Sequence, residues 1–210
     1  MTLHIGDTAP DFTVDTQNGT ISLHAWAGDS WVFLFSHPAD FTPVCTTEMG
    51  RTAQLAEEFA KRNVKPLGLS TDTADEHRKW IADVNETQGT NLTFPIIADA
   101  DLAIARTYDM LHPEESETAA VRSVFIIDPA KKIRLMMTYP MSVGRNFDEI
   151  LRVIDALQLG DAKRIATPAD WQRGREVIIP PSIDNEEAKR LFPQGWTEYC
   201  PYLRTTTLVD

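Results

Sequence analysis

A chain of 210 residues can hold one full hydrophobic core plus a small appendage, and 42% hydrophobic with 24% charged residues is ordinary for a globular protein. A net charge of −11 argues against non-specific binding to nucleic acid or to an anionic membrane. No apolar run approaches the ~20 residues of a membrane-spanning helix, so no membrane insertion is expected. The opening Met1-Thr2-Leu3-His4-Ile5-Gly6-Asp7 has neither a basic region nor an apolar signal core, and a cytoplasmic location is expected. Cys45 and Cys200 are too few and too far apart for a disulfide scaffold. His4, His24, His37, His77 and His112 show no close spacing to each other or to the cysteines, so no metal site is expected, and no cofactor either.

Residues 1–30 read as short strands and turns, with Asn18-Gly19 as the turn before a strand at Thr20-Ile21-Ser22-Leu23. Trp31-Val32-Phe33-Leu34-Phe35 reads as a buried strand. A helical pattern then places Met49, Thr52, Ala53, Ala56 and Phe59 on one face. Between strand and helix, Thr42 suits an N-cap and Pro43 the first helical position, where no amide hydrogen is missed. Cys45 then falls in the first helical turn, where unpaired N–H groups and the positive end of the helix dipole favour a thiolate. The plainer reading is a small buried thiol packed under a helix.

Further strands are expected at 64–70, 94–99, 121–127 and 133–139, and helices from Thr71-Asp72-Thr73 to about Asn85, at 102–105 and at 146–158. The loop 112–117 is acidic and expected to be exposed. Strands alternating with helices, then a strand pair and a last helix, predict an α/β sandwich. Residues 1–162 are expected to form the main domain and 163–210 a C-terminal arm. The arm is proline-rich and lacks a full core pattern, so Trp171, Val177, Ile178, Ile179, Leu191, Phe192 and Trp196 are expected to bury against the main domain or another subunit. Local packing of Trp171 and Trp196 is the alternative.

Several motifs in order carry a resemblance. Pro38-x-x-x-Thr42-x-x-Cys45, inside the run Phe35-Ser36-His37-Pro38 to Phe41-Thr42-Pro43-Val44-Cys45-Thr46-Thr47-Glu48, resembles the active-site signature of the peroxiredoxins, and the longer run their 1-Cys subgroup. Gly6-Asp7-x-Ala9-Pro10-Asp11-Phe12, Arg122 to Pro129, Gly144 to Arg152, Glu186 to Pro193 and Tyr202-Leu203-Arg204 extend the match over nearly the whole chain. The resemblance implies a thioredoxin-like α/β sandwich with a small C-terminal dimerisation arm. It also implies a thiol-dependent peroxidase acting on hydrogen peroxide and organic hydroperoxides through a sulfenic acid at Cys45.

The implied partners are a peroxide, an external thiol reductant (thioredoxin, glutathione or another) and a second copy of the chain, with larger assembly left open. Cys45 is the implied nucleophile and Arg122 the cation against its sulfur, the alternative for Arg122 being a solvated edge-strand charge. Thr42 is expected to place its hydroxyl beside the sulfur and the peroxide, and Pro38 to shield the sulfur. Glu48, one turn after Cys45, is expected to orient the active-site arginines, with Arg145 brought near the site. His37 is expected to hydrogen-bond either the sulfur or peroxide, or a backbone group. Three other readings stay open: Cys200 as a resolving cysteine, a redox-regulated chaperone, and phospholipase chemistry at Gly28-Asp29-Ser30-Trp31-Val32 with His24. The last is disfavoured because Ser30 precedes a strand, whereas a nucleophile elbow follows one.

Overall fold

The computed structural model describes residues 2–208 and divides into two compact units, Met1–Phe147 and Asp148–Asp210. In the first unit, β1 (Thr13–Thr16) and β2 (Gly19–Ser22) form the expected hairpin, with Gly19 at φ +104 in the turn. A short helix follows, α1 (Leu23–Ala27), which the sequence reading placed among strands and turns. Next come β3 (Trp31–Ser36), α2 (Pro43–Gln54), α3 (Ala56–Lys61), β4 (Val64–Ser70), α4 (Ala74–Gln88), β5 (Ile96–Ala98), α5 (Ala103–Thr107), β6 (Arg122–Ile127) and β7 (Ile133–Tyr139).

The seven strands make one sheet in the order β2-β1-β5-β4-β3-β6-β7. β3 lies inside it, parallel to β4 and antiparallel to β6. Its six residues are all buried, which is why the run is continuously apolar and not alternating. Side chains still alternate between the two faces. Val32 and Leu34 join Leu23, Leu67, Leu69, Ile104, Phe125 and Ile127 on one face, whereas Phe33 stacks on Phe35 and Phe59 on the other. Gly68 of β4 leaves the room that Met49 of α2 occupies, since a Cβ there would lie 3.3 Å from Met49 Cε.

The apolar period after Cys45 does not run through one helix. Leu55 sits at φ −91, ψ 10 between α2 and α3, so Leu55 is buried and Ala56 exposed, the reverse of an unbroken pattern. α4 starts on a complete capping box between Thr73 and Glu76 and ends on Gly89 in the left-handed region.

The second unit holds α6 (Phe147–Lys163, its first residue belonging to the first unit), β8 (Val177–Ile179), α7 (Asn185–Leu191), β9 (Thr197–Cys200) and β10 (Leu203–Thr206). Its strands pair in the order β8-β10-β9. The boundary expected at 162/163 moves to 147/148 because Ala156 and Leu159 of α6 pack on the arm's own apolar cluster. That cluster joins Ile165, Trp171, Val177, Ile179, Ile183, Ala188 and Phe192. These residues bury one another within the unit, so local packing, the alternative reading of Trp171, is the one realised. Arg204 ties the unit together by donating to Asn185 Oδ1 and to the Pro180 and Ile183 carbonyls.

Candidate active site

β3 delivers its last residue, Ser36, to a six-residue loop that enters α2. Phe41 occupies φ +55, where a bulky L-residue is disfavoured by about 1–2 kcal/mol. Asp40, just before it, is anchored by its backbone N–H, which donates to Asp72 Oδ2 at 2.9 Å. Thr42 has the extended backbone of an N-cap and Pro43 opens the helix. The Thr42 hydroxyl does not cap the helix. It donates instead to the Ala39 carbonyl at 2.9 Å, tightening the loop, while the Thr42 carbonyl accepts from the Thr46 N–H and hydroxyl. Pro38 is buried in the same loop. Cys45, in the first turn of α2, is a free thiol with no exposed surface.

Arg122 supplies the cation. It stands at the start of β6, an interior strand, and is buried, so the solvated edge-strand alternative does not hold. Its Nη1 lies 3.3 Å from Cys45 Sγ and 2.8 Å from Glu48 Oε2. Nε and Nη2 both donate to the Met141 carbonyl, at 2.9 and 2.7 Å. Three nitrogens are thus committed, which holds the guanidinium plane so that Nη1 faces the sulfur.

Glu48 lies one turn after Cys45 and is buried. Its Oε1 accepts from the Arg145 N–H and Nε, and its Oε2 from Arg145 Nη2 and Arg122 Nη1, at 2.6–2.9 Å. Arg145 Nη1 completes the lattice on the Ser36 and Ser123 carbonyls. Burial pushes the Glu48 carboxyl up, but the charge and hydrogen bonds of Arg145, with Arg122 behind them, outweigh it and hold Glu48 below its usual range. Two guanidinium charges against one carboxylate leave one positive charge over. A thiolate at Cys45 brings the buried cluster to neutrality.

Removing Glu48 leaves two buried cations facing each other, so Glu48→Gln is expected to lose about 3–5 kcal/mol of stability in urea denaturation at neutral pH. The sign with pH follows from the lowered carboxyl. The contribution is complete above the ordinary value of 4.5 and fades as pH falls through the lower folded value, a decline the glutamine variant lacks.

The structure therefore brings Cys45, Arg122, Glu48 and Arg145 together and sets Thr42 and Pro38 in the adjoining loop. His37 departs from both of its expected partnerships. Its Nε2 faces Asp40 Oδ1 at 2.8 Å, and its ring lies against Trp80. Residues that sequence reading missed include Ser36, Asp40, His77 and the Met141 carbonyl. Asp40 lay inside the motif and could have been singled out. A backbone carbonyl leaves no trace in residue identity. The Ser30 hydroxyl donates to Asn63 Oδ1, and His24 Nε2 meets the Ala9 carbonyl, so neither serves the other.

A buried thiol facing a guanidinium, carried at the first turn of a helix on a thioredoxin-like sheet, defines the class as a thiol-dependent peroxidase. Comparison with known proteins agrees. The AhpC/TSA family matches residues 5–136, and the C-terminal domain of 1-Cys peroxiredoxin matches residues 156–195. The 1-Cys peroxiredoxin of Dictyostelium discoideum is 50% identical over 97% of this chain and 85% of its own length. Peroxiredoxin-6 of Gallus gallus is 50% identical over 97% of both. A solved structure of yeast mitochondrial 1-Cys peroxiredoxin superposes with a TM-score of 0.93 at 50% identity, covering 99% of this chain and 100% of that one. The chain belongs to the 1-Cys peroxiredoxins.

Proposed function

We propose that Cys45 is the peroxidatic nucleophile and that Arg122, oriented by Glu48 and Arg145, holds its thiolate and receives the charge that develops on the peroxide. The Nη1–Sγ distance of 3.3 Å carries this reading. In the step, Cys45 Sγ bonds to one peroxide oxygen, the O–O bond breaks, and the second oxygen departs with the electron pair and is protonated to water or an alcohol. The products are a cysteine sulfenic acid and the reduced peroxide. Thr42 holds the loop, and buried Pro38 keeps water from the sulfur.

The sulfenic acid is resolved by an external thiol. The yeast mitochondrial relative was solved to explain thiol resolution via glutathione/thioredoxin systems, which supports one of these as the reductant here. Cys200 is an idle thiol in this scheme. It ends β9 and is half-buried. One equivalent of peroxide followed by a non-reducing gel is expected to show monomeric chain, and excess peroxide to add two and three oxygens to Cys45 by mass spectrometry. A covalent dimer that forms quantitatively and vanishes in Cys200→Ser would assign Cys200 as the resolving residue instead.

A homodimer in the cytoplasm completes the reading. Exposed Tyr199, Tyr202 and Leu191 on the C-terminal unit support self-association, and two unpaired cysteines suit a reducing compartment. Light scattering should return twice the chain mass of 23.6 kDa. A value at the single-chain mass would remove the dimer.

A further inference from the structure

Behind the peroxidatic loop lies a second buried polar cluster that the scheme above leaves unused. Asp40, 5% exposed, bridges two histidines with no exposed surface, one from the loop and one from α4. Its Oδ1 meets His37 Nε2 at 2.8 Å and its Oδ2 meets His77 Nδ1 at 2.6 Å. His77 Nε2 meets the Ile97 carbonyl at 3.1 Å. Among the described residues, His37 Nδ1 is the one buried side-chain polar atom without a partner.

Proton accounting resolves the cluster. A carbonyl only accepts, so His77 Nε2 carries a hydrogen. One further proton lies between His77 Nδ1 and Asp40 Oδ2, held by either atom. In both arrangements Oδ1 is an acceptor, so His37 Nε2 carries a hydrogen and donates it. A second N–H on His37 would be a buried charged donor with nowhere to go, and His37 Nδ1 is therefore a bare lone pair. Burial lowers the basicity of His37 in spite of Asp40, in the same sense. The other charged groups facing the cluster are Asp72, on the Asp40 N–H, and Glu76 in the first turn of α4.

His37, Asp40 and Asp72 also have donor atoms near enough to suggest a metal site. The His37–Asp40 spacing of 2.8 Å speaks for a proton, since two ligands of one tetrahedral zinc with bonds of about 2 Å stand more than ~3 Å apart.

We propose that Asp40 and His77 are positioning residues of the peroxidase reaction, a clamp that joins the loop to α4, holds the turn at Phe41 and Thr42, and fixes His37 as its Nε2–H tautomer. The clamp helps keep Phe41 at φ +55, since Asp40 immediately precedes it and makes three hydrogen bonds, with His37 of the same loop, with His77 of α4 and from its own N–H to Asp72. Its consequence for rate rests on the reading of Cys45 as nucleophile. Its consequence for the tautomer does not.

The test uses the full chain, labelled with nitrogen-15, with two readouts: the tautomers of His37 and His77 by long-range proton–nitrogen NMR, and the second-order rate of Cys45 oxidation by hydrogen peroxide in stopped flow. The parent is expected to show a bare His37 Nδ1 from pH 6 to 8. Asp40→Ala should release His37 into a tautomer mixture that titrates, and slow Cys45 oxidation at least tenfold. Asp40→Asn retains an acceptor for His37 and offers an N–H to His77, and should recover most of that rate with the His37 tautomer restored. Should Asp40→Ala not fold, His77→Asn replaces it, with a loss of at least threefold. A protonated Nδ1 on His37 in the parent, or a clamp variant that oxidises within twofold of the parent, overturns the clamp. A parent that fails to react with peroxide overturns the role of Cys45 and leaves the tautomer result to decide the clamp.

Discussion

Cys45→Ser is expected to reduce no peroxide measurably, a loss of more than about a thousandfold, while unfolding in urea as the parent does. The substitution exchanges sulfur for oxygen in a site with no exposed surface and leaves the Arg122–Glu48–Arg145 lattice intact, so stability has no reason to move far. Activity disappears because a hydroxyl is scarcely ionised near neutral pH even beside a guanidinium. The measurement is peroxide consumption with a thiol reductant in excess. Turnover within tenfold of the parent would remove Cys45 from the chemistry.

Arg122→Met is expected to slow Cys45 oxidation by about 10²–10³, the loss typical of one preorganised donor at a developing oxyanion. The reason is charge balance as well as contact. Without Arg122 the buried cluster holds one guanidinium, Arg145, against the Glu48 carboxylate, which already accepts three of its hydrogen bonds from Arg145. A thiolate would then add an uncompensated negative charge. The pH at which iodoacetamide alkylation reaches half its maximum should therefore rise in the variant. An unchanged alkylation profile would show that Arg122 is not the activating cation. Glu48→Gln separates the two roles, since it spares the Arg122–sulfur contact and disturbs chiefly stability.

The elements that were legible in sequence are those whose signals are local. β3 was readable because five apolar residues in a row are buried on both faces, and the start of α2 because proline at the first helical position excludes most other conformations. α4 announced itself at Thr71-Asp72-Thr73, and in the structure Thr73 closes a complete capping box with Glu76. The failures have equally specific causes. The break at Leu55 interrupts the apolar pattern of α2 and α3 with no glycine or proline to mark it. The domain boundary expected at 162/163 falls inside α6, whose apolar residues serve the arm.

What the sequence by itself determined was the place of Cys45 in the first turn of a helix: strand, loop, threonine, proline and cysteine within fifteen residues, each constraining the backbone of the next. It also determined that Glu48 must be paired, since a lone carboxylate one turn from a thiolate would oppose it. The tertiary structure alone decided the partners. Arg122 reaches Cys45 across 77 positions and Arg145 reaches Glu48 across 97, because β6 pairs antiparallel with β3 and the loop after β7 folds back over its end. His37 and His77, forty residues apart, meet only because α4 starts beside the loop that β3 feeds. Spacing along the chain carries local hydrogen bonding and period. It carries no register between strands, and register is what brought Cys45, Glu48, Arg122 and Arg145 into one site.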